Sequence, residues 1–187
     1  MALFLLEIPT GAQRREDLEP VFLAVARAAE RDGGELIEGQ VPTDLQRAYA
    51  VVEHEDEARL KAALRESGQV VSGVSQVRLV GASLEDVKAT RDRSSQAAGA
   101  DYLVEWDFPP GLTMEAYLAR KKEKAPLYAQ VPEVRFLRTY VCEDMSKCLC
   151  FYQAQDEDAV RRAREVVSTP ITRLSALAQT AGSPAIV

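Results

Sequence analysis

The sequence predicts an α+β chain built from two tandem copies of one βαββαβ unit. Three observations predict it. Short apolar runs suited to strands alternate with stretches of helical apolar spacing. The order of these elements repeats at a period close to one hundred residues. Turn residues separate the elements at matching places in the two halves.

In the first half, residues 2–8 form an apolar strand closed by Pro9-Thr10-Gly11. Leu18, Phe22, Val25, Ala26 and Ala29 recur at helical spacing, and Gly33-Gly34 ends that helix. Residues 35–41 are a second strand, which Pro42-Thr43-Asp44 turns into a third at 47–53. The acidic residues 55–57 suit the positive end of a helix continued by Leu60, Ala63 and Leu64 as far as Gly68, and residues 74–80 are the fourth strand. The second half repeats the series. A strand at 102–108 is followed by a helix from Thr113 to about Tyr128, with Leu112 and Tyr117 as a hydrophobic staple. A hairpin of 134–142 and 148–153 turns around Asp144-Met145-Ser146, Asp156-Glu157-Asp158 opens the last helix, and 171–177 is the final strand.

The internal match rests on order more than identity. Leu5-Leu6-Glu7 corresponds to Leu103-Val104-Glu105, residues 36–41 to 136–141, and Val51-Val52-Glu53 to Phe151-Tyr152-Gln153. The acidic runs at 55–58 and 156–159 match after a slip of one residue. The expected units are therefore 1–81 and 101–178, with a Ser- and Ala-rich linker of weak helical period at 82–100 and a tail at 179–187. Two split βαβ crossovers in this order make a ferredoxin-like sandwich, a four-stranded antiparallel sheet with helices on one face. The bare face of each sheet needs cover, and two such sheets laid face to face supply it. The expected architecture is an α+β barrel pseudo-dimer, either a monomer with internal pseudo-symmetry or a homodimer.

Composition excludes several classes. The net charge of −6 leaves no basic surplus to neutralise phosphates, so nucleic acid is not an expected partner. The one basic run, Arg120-Lys121-Lys122 with Lys124, is interrupted by Glu123 and reads as a solvated helix face. No apolar stretch is long enough for a membrane helix, and the N-terminus lacks a charged n-region. Three cysteines, an odd number, do not make a disulfide framework, which fits a reducing cytoplasm.

The second half carries a resemblance. Its opening, Glu105-Trp106-Asp107-Phe108-Pro109-Pro110-Gly111-Leu112-Thr113, and its hairpin, Tyr140-Val141-Cys142-Glu143-Asp144 followed by Cys150-Phe151-Tyr152-Gln153, are similar to a bacterial domain-of-unknown-function family of small ferredoxin-like proteins. The resemblance covers residues 101–178, and the first half fits as a diverged copy. One actinobacterial member of that family binds nickel, so the resemblance implies a divalent metal such as nickel as one expected ligand. Gln153 stands where the family favours glutamate after its Cys-x-Tyr, although Glu53 holds the matching place in the first half.

Strand alternation selects the candidate site residues. A hairpin turn centred on Met145 sets Tyr140 opposite Cys150 and Arg138 opposite Tyr152. Glu105, Arg138, Tyr140, Cys150 and Tyr152 then line the sheet face away from the helices, as a ligand pocket or as a buried Glu105–Arg138 ion pair among packing residues. A slip of one residue exchanges these assignments. In the first half Glu7 matches Glu105, and Glu38 matches Arg138; Glu38 is expected to repel Glu7 unless a ligand supplies a cation. Cys142, Cys148 and Cys150 fall on one face of the hairpin, where packing competes with soft-metal or redox chemistry. His54, Glu53 and Glu55 are the metal-ligand candidates, against a reading of His54 as a strand-end residue beside a helix N-terminus.

No catalytic residues are assigned, because the sequence has no nucleophile elbow, phosphate loop or dinucleotide fingerprint. The leading expectation is a non-enzymatic binding protein taking a small molecule or divalent metal between two fused sheets. The alternatives are a cofactor-free or heme-associated barrel enzyme of the monooxygenase or isomerase type, by fold analogy, and a partner-binding protein using a free sheet edge.

Overall fold

A computed structural model describes residues 1–92 and 99–178. The first half contains β1 (Ala2–Pro9), α1 (Glu19–Glu30), β2 (Glu35–Gln40), β3 (Arg47–His54), α2 (Glu57–Glu66) and β4 (Gly73–Val80). A helix α3 (Leu84–Asp92) follows, and then β5 (Tyr102–Asp107), α4 (Met114–Lys124), β6 (Val134–Cys142), β7 (Lys147–Ala154), α5 (Glu157–Val166) and β8 (Arg173–Ala176). The expected tail at 179–187 and the middle of the expected linker, 93–98, lie outside the described residues.

The strands form one eight-stranded antiparallel sheet in the order β2-β3-β1-β4-β6-β7-β5-β8. Within each half the second, third, first and fourth strands are neighbours, the order of two split βαβ crossovers. The halves join edge to edge where Val77 to Val80 pair with Cys142 to Thr139. The two outer strands also meet just past their ends: Thr43 N–H donates to Ala176 O (2.9 Å) and Ala178 N–H to Val41 O (2.8 Å).

Local chemistry recurs one hundred residues apart. Leu45 and Met145 both adopt positive φ, at 55° and 56°. The carboxylate before each accepts from the amide after it, Asp44 from Gln46 (3.0 Å) and Asp144 from Ser146 (2.9 Å). Bulges interrupt β2 between Leu36 and Glu38 and β6 between Phe136 and Arg138. Asp56 caps α2 through Arg59 N–H (2.9 Å), and Asp156 caps α5 through Ala159 N–H (2.7 Å). The caps sit at the same offset as the turns, so the one-residue slip between the acidic runs is a coincidence of composition; the N-cap fixes the alignment.

Three clusters make the core. Phe4, Leu6, Ile8, Ala48, Ala50 and Val52 turn toward α1 and α2. Val104, Trp106, Val141, Cys148, Cys150 and Tyr152 pack with Tyr117 of α4 and Val160 of α5. Leu5, Tyr49 and Val51 of the first half meet Leu103, Tyr140, Leu149 and Phe151 of the second on the inner faces. Both faces of the central strands are thus buried, which is why β1 reads as an unbroken apolar run.

Two stretches differ from expectation. The helix expected to about Tyr128 stops as α-helix at Lys124 and continues as a 3₁₀ turn, Ala125–Gln130, because Pro126 lacks the amide proton of a regular turn. The expected linker contains α3, whose start is fixed by Ser83 Oγ accepting from Asp86 N–H (3.1 Å). Its Val87 joins the inner core, and Lys88 reaches Glu35 (2.6 Å) and Glu53 (3.2 Å).

Candidate functional site

The hairpin register decides which side chains share a space. Tyr140 pairs with Leu149, Thr139 with Cys150 and Arg138 with Phe151. The loop between β6 and β7 is the four residues Glu143 to Ser146, closed by Met145 N–H donating to Cys142 O (2.9 Å). A loop with an even residue count shifts the pairing by one from a turn centred on Met145. Arg138, Tyr140 and Cys142 therefore face inward with Leu149 and Phe151, whereas Cys148, Cys150 and Tyr152 face the helices. The three cysteines do not share a face, and the five expected pocket residues divide between two cores.

Inside, Arg138 pairs with Glu38 and not with Glu105. Its Nε donates to Glu38 Oε1 (2.9 Å), its Nη2 to Glu38 Oε2, and the Tyr140 hydroxyl also donates to Glu38. Gln40 Nε2 adds a donor at 3.1 Å. Burial alone would raise the Glu38 carboxyl, but Arg138 and these donors hold it below the usual range. Glu105, also buried, accepts from the Tyr49 hydroxyl (2.7 Å), with Lys147 at 3.6 Å and Arg173 at 3.7 Å. Glu7 is held by Lys147, with Arg47 at 3.9 Å. The expected repulsion between Glu7 and Glu38 does not arise, because each carboxylate has its own cation. Tyr49, Tyr140, Leu5, Leu103, Leu149 and Phe151, each no more than 2% exposed, fill the space between the inner faces, so these glutamates sit in a packed polar core.

The metal candidates do not converge. His54 is fully buried on the helix side, and its Nδ1 accepts from Asp56 N–H (3.0 Å). Glu53 pairs with Lys88 on the opposite face, and Glu55 is exposed. A Cβ on Gly34 would come within 2.7 Å of the His54 ring, so the imidazole is packed against backbone. Among the described residues no group of three or more His, Cys, Asp or Glu is placed to hold a metal ion.

The chemistry concentrates on the helix side of the second half. A cleft there is lined by Trp106 of β5, Tyr117 and Lys121 of α4, Tyr128 of the 3₁₀ turn, Cys150 of β7 and Arg164 of α5. Arg120 and Lys124 also border it, and no carboxylate does. Arg164 is only 3% exposed. Its Nη1 lies 3.2 Å from the Tyr152 hydroxyl and 3.6 Å from Cys150 Sγ, Nη2 donates to Pro170 O, and buried Nε has no partner. Among the described residues no carboxylate lies within ion-pair distance of this guanidinium. A buried cation without a counter-ion costs on the order of several kcal/mol.

The thiols answer part of that demand. Cys148 Sγ is 3.7 Å from Cys150 Sγ, and Thr139 Oγ1 is 3.2 Å from Cys150. Hydrogen bonding from Cys148 pulls the Cys150 thiol well below the ordinary value against the opposing effect of burial, and Arg164 and Lys121 pull the same way. Cys148, as the donor, is pushed well up. Burial lowers the Lys121 ammonium, whose Nζ lies 3.7 Å over the Phe136 ring.

Sequence reasoning missed Arg164, Lys121, Trp106, Tyr117 and Tyr128 as a group. A signal was present in the comparison between halves. One hundred positions before Cys148, Cys150, Tyr152 and Arg164 stand Ala48, Ala50, Val52 and Leu64, all fully buried and apolar. The same scaffold has an apolar solution at these four positions, and the second half departs from it.

Eight solved chains match significantly. They include a protein of Lactobacillus acidophilus NCFM described provisionally as a monooxygenase, 9% identical, covering 95% of this chain and 94% of that one with a TM-score of 0.49. A protein described provisionally as a chlorite dismutase is 13% identical, with 96% of each chain covered and a TM-score of 0.42. At these values the similarities carry no argument about activity. No curated protein matches the chain significantly. The second half is what the comparisons identify: residues 102–176 match the family described as nickel responsive protein SCO4226-like.

Proposed function

We propose that the chain is a binding protein made of two tandem ferredoxin-like repeats closed into an α+β barrel, and that its ligand is a small organic anion held in the helix-side cleft of the second repeat. The duplication is supported by the turns, bulges and caps that recur one hundred residues apart, and the closure by the hydrogen bonds between the outer strands. The ligand class rests on one observation above the others. Arg164 is a buried guanidinium with a free Nε and no carboxylate partner, at a position where the first repeat has a buried leucine. Lys121, Arg120 and Lys124 add positive charge around the cleft, while Trp106, Tyr117 and Tyr128 offer apolar walls. That combination suits a carboxylate or phosphate attached to a planar or apolar body.

Nickel, which the matched family's description implies, does not fit the residues present, since no ligand set converges among the described residues. The cleft's cations would also repel a divalent ion.

Trp106 is the only tryptophan, and it lines the cleft, so its fluorescence reports binding there. Titration with benzoate or phenyl phosphate is expected to change that fluorescence saturably, and benzyl alcohol is expected to leave it unchanged. Equal responses to all three, or none, contradict the anion reading.

A further inference from the structure

We propose that Cys150 is a nucleophilic thiolate presented to the anion in this cleft, so that the second repeat reacts covalently with small anionic electrophiles. The proposal rests on the anion-binding reading above and adds a chemical role to it. Three features lead there. Cys150, itself only 2% exposed, lines the cleft; Cys148 does not, and Cys142 belongs to the inner core. Arg164 Nη1 lies 3.6 Å from the Cys150 sulfur, and among the described residues no carboxylate pairs with the guanidinium. The Cys148 sulfur lies 3.7 Å away, within hydrogen-bond distance, and Cys150, which faces the guanidinium, is the better acceptor of the two. A buried cation facing an ionised sulfur is close to electrically neutral, and the same cation facing a neutral thiol is not.

The first repeat sharpens the point. Alanine occupies both places equivalent to the two cysteines, and leucine the place of the arginine. Thiolate, proton donor and guanidinium are thus present together in one repeat and absent together from the other. Lys121, Arg120 and Lys124 stand where the anionic group of an entering molecule would be held, with its reactive carbon toward Cys150. For a haloacid the step balances simply. The sulfur lone pair forms a C–S bond, the carbon–halogen pair leaves as halide, and no proton moves.

The test compares iodoacetate with iodoacetamide on the intact chain near neutral pH, with the alkylated cysteine located by peptide mass mapping. A free thiolate in water repels the carboxylate reagent, so iodoacetate has no intrinsic advantage. In the cleft the order reverses: Cys150 is expected to react about tenfold faster with iodoacetate than with iodoacetamide, equivalent to about 1.4 kcal/mol of barrier. Benzoate should slow the reaction, and Lys121→Met should reduce the preference for iodoacetate. Failure of Cys150 to react, or reaction of all three cysteines at similar rates, overturns the nucleophile proposal. If benzoate still changes Trp106 fluorescence in that case, the anion cleft stands without it. If Cys150 reacts with no preference for the anion and benzoate neither protects nor binds, both readings fall.

Discussion

Glu38 and Arg138 show how much one residue pair can carry in this core. They occupy matching positions at the two bulges and meet across the interior, both less than 10% exposed. Positions 38 and 138, one hundred residues apart, face each other, so identical charged residues there would set like charges together. Opposite charges at these two places remove that conflict. Truncating one partner leaves the other charged and buried, so Glu38→Ala and Arg138→Ala should each cost about 3–5 kcal/mol in urea unfolding. The double mutant should cost far less than their sum, and Glu105→Ala should show no such coupling to Arg138→Ala. The pair also sets a pH dependence. The Glu38 carboxyl lies lower folded than unfolded, so its contribution is complete above the unfolded value, about 4.3, and is lost as pH falls through the lower folded value. Glu38→Gln should flatten the stability profile below about pH 4.3; an unchanged slope there contradicts the assignment.

At the level of elements the sequence was most readable where local chemistry dictates structure. The strand and helix order followed from apolar periodicity, and the Thr113 cap from residue type, with Ala116 N–H donating to its Oγ1 (3.2 Å). Hairpin register was not readable, because it depends on whether the loop holds an odd or an even number of residues, and the odd choice moved Cys150 and Tyr152 to the other core. Arg164 was missed for a different reason. In the Arg161-Arg162-Ala163-Arg164 run it reads as one more solvated charge, yet it follows Val160 by four residues and so lies on the buried face. The partner of Glu105 was misjudged because Tyr49 approaches from β3 of the other half, a contact that strand alternation within one half does not reveal. The caps supply a check at this scale. Asp56→Ala and Asp156→Ala should each destabilise by about 1 kcal/mol, since each removes one acceptor from an equivalent helix start. A cost at one helix and none at the other would contradict that equivalence.

Across the whole molecule, the two halves differ in what they bury. The first has an apolar helix-side core containing Ala48, Ala50, Val52 and Leu64. The second places thiols, a phenol and a guanidinium at the same positions and leaves a cleft beside them. Among the described residues no helix is long and apolar enough to cross a membrane. The central claim is that Arg164 sacrifices stability to bind an anion, and urea unfolding of Arg164→Leu with and without phenyl phosphate tests it directly. The variant introduces leucine, the buried residue one hundred positions earlier, so it should be at least as stable as the wild type without ligand. Phenyl phosphate at about one hundred times its dissociation constant should stabilise the wild type by about 2.7 kcal/mol and the variant not at all. A variant that loses several kcal/mol without ligand, or gains as much from phenyl phosphate as the wild type does, would show that Arg164 is a structural residue and contradict the account.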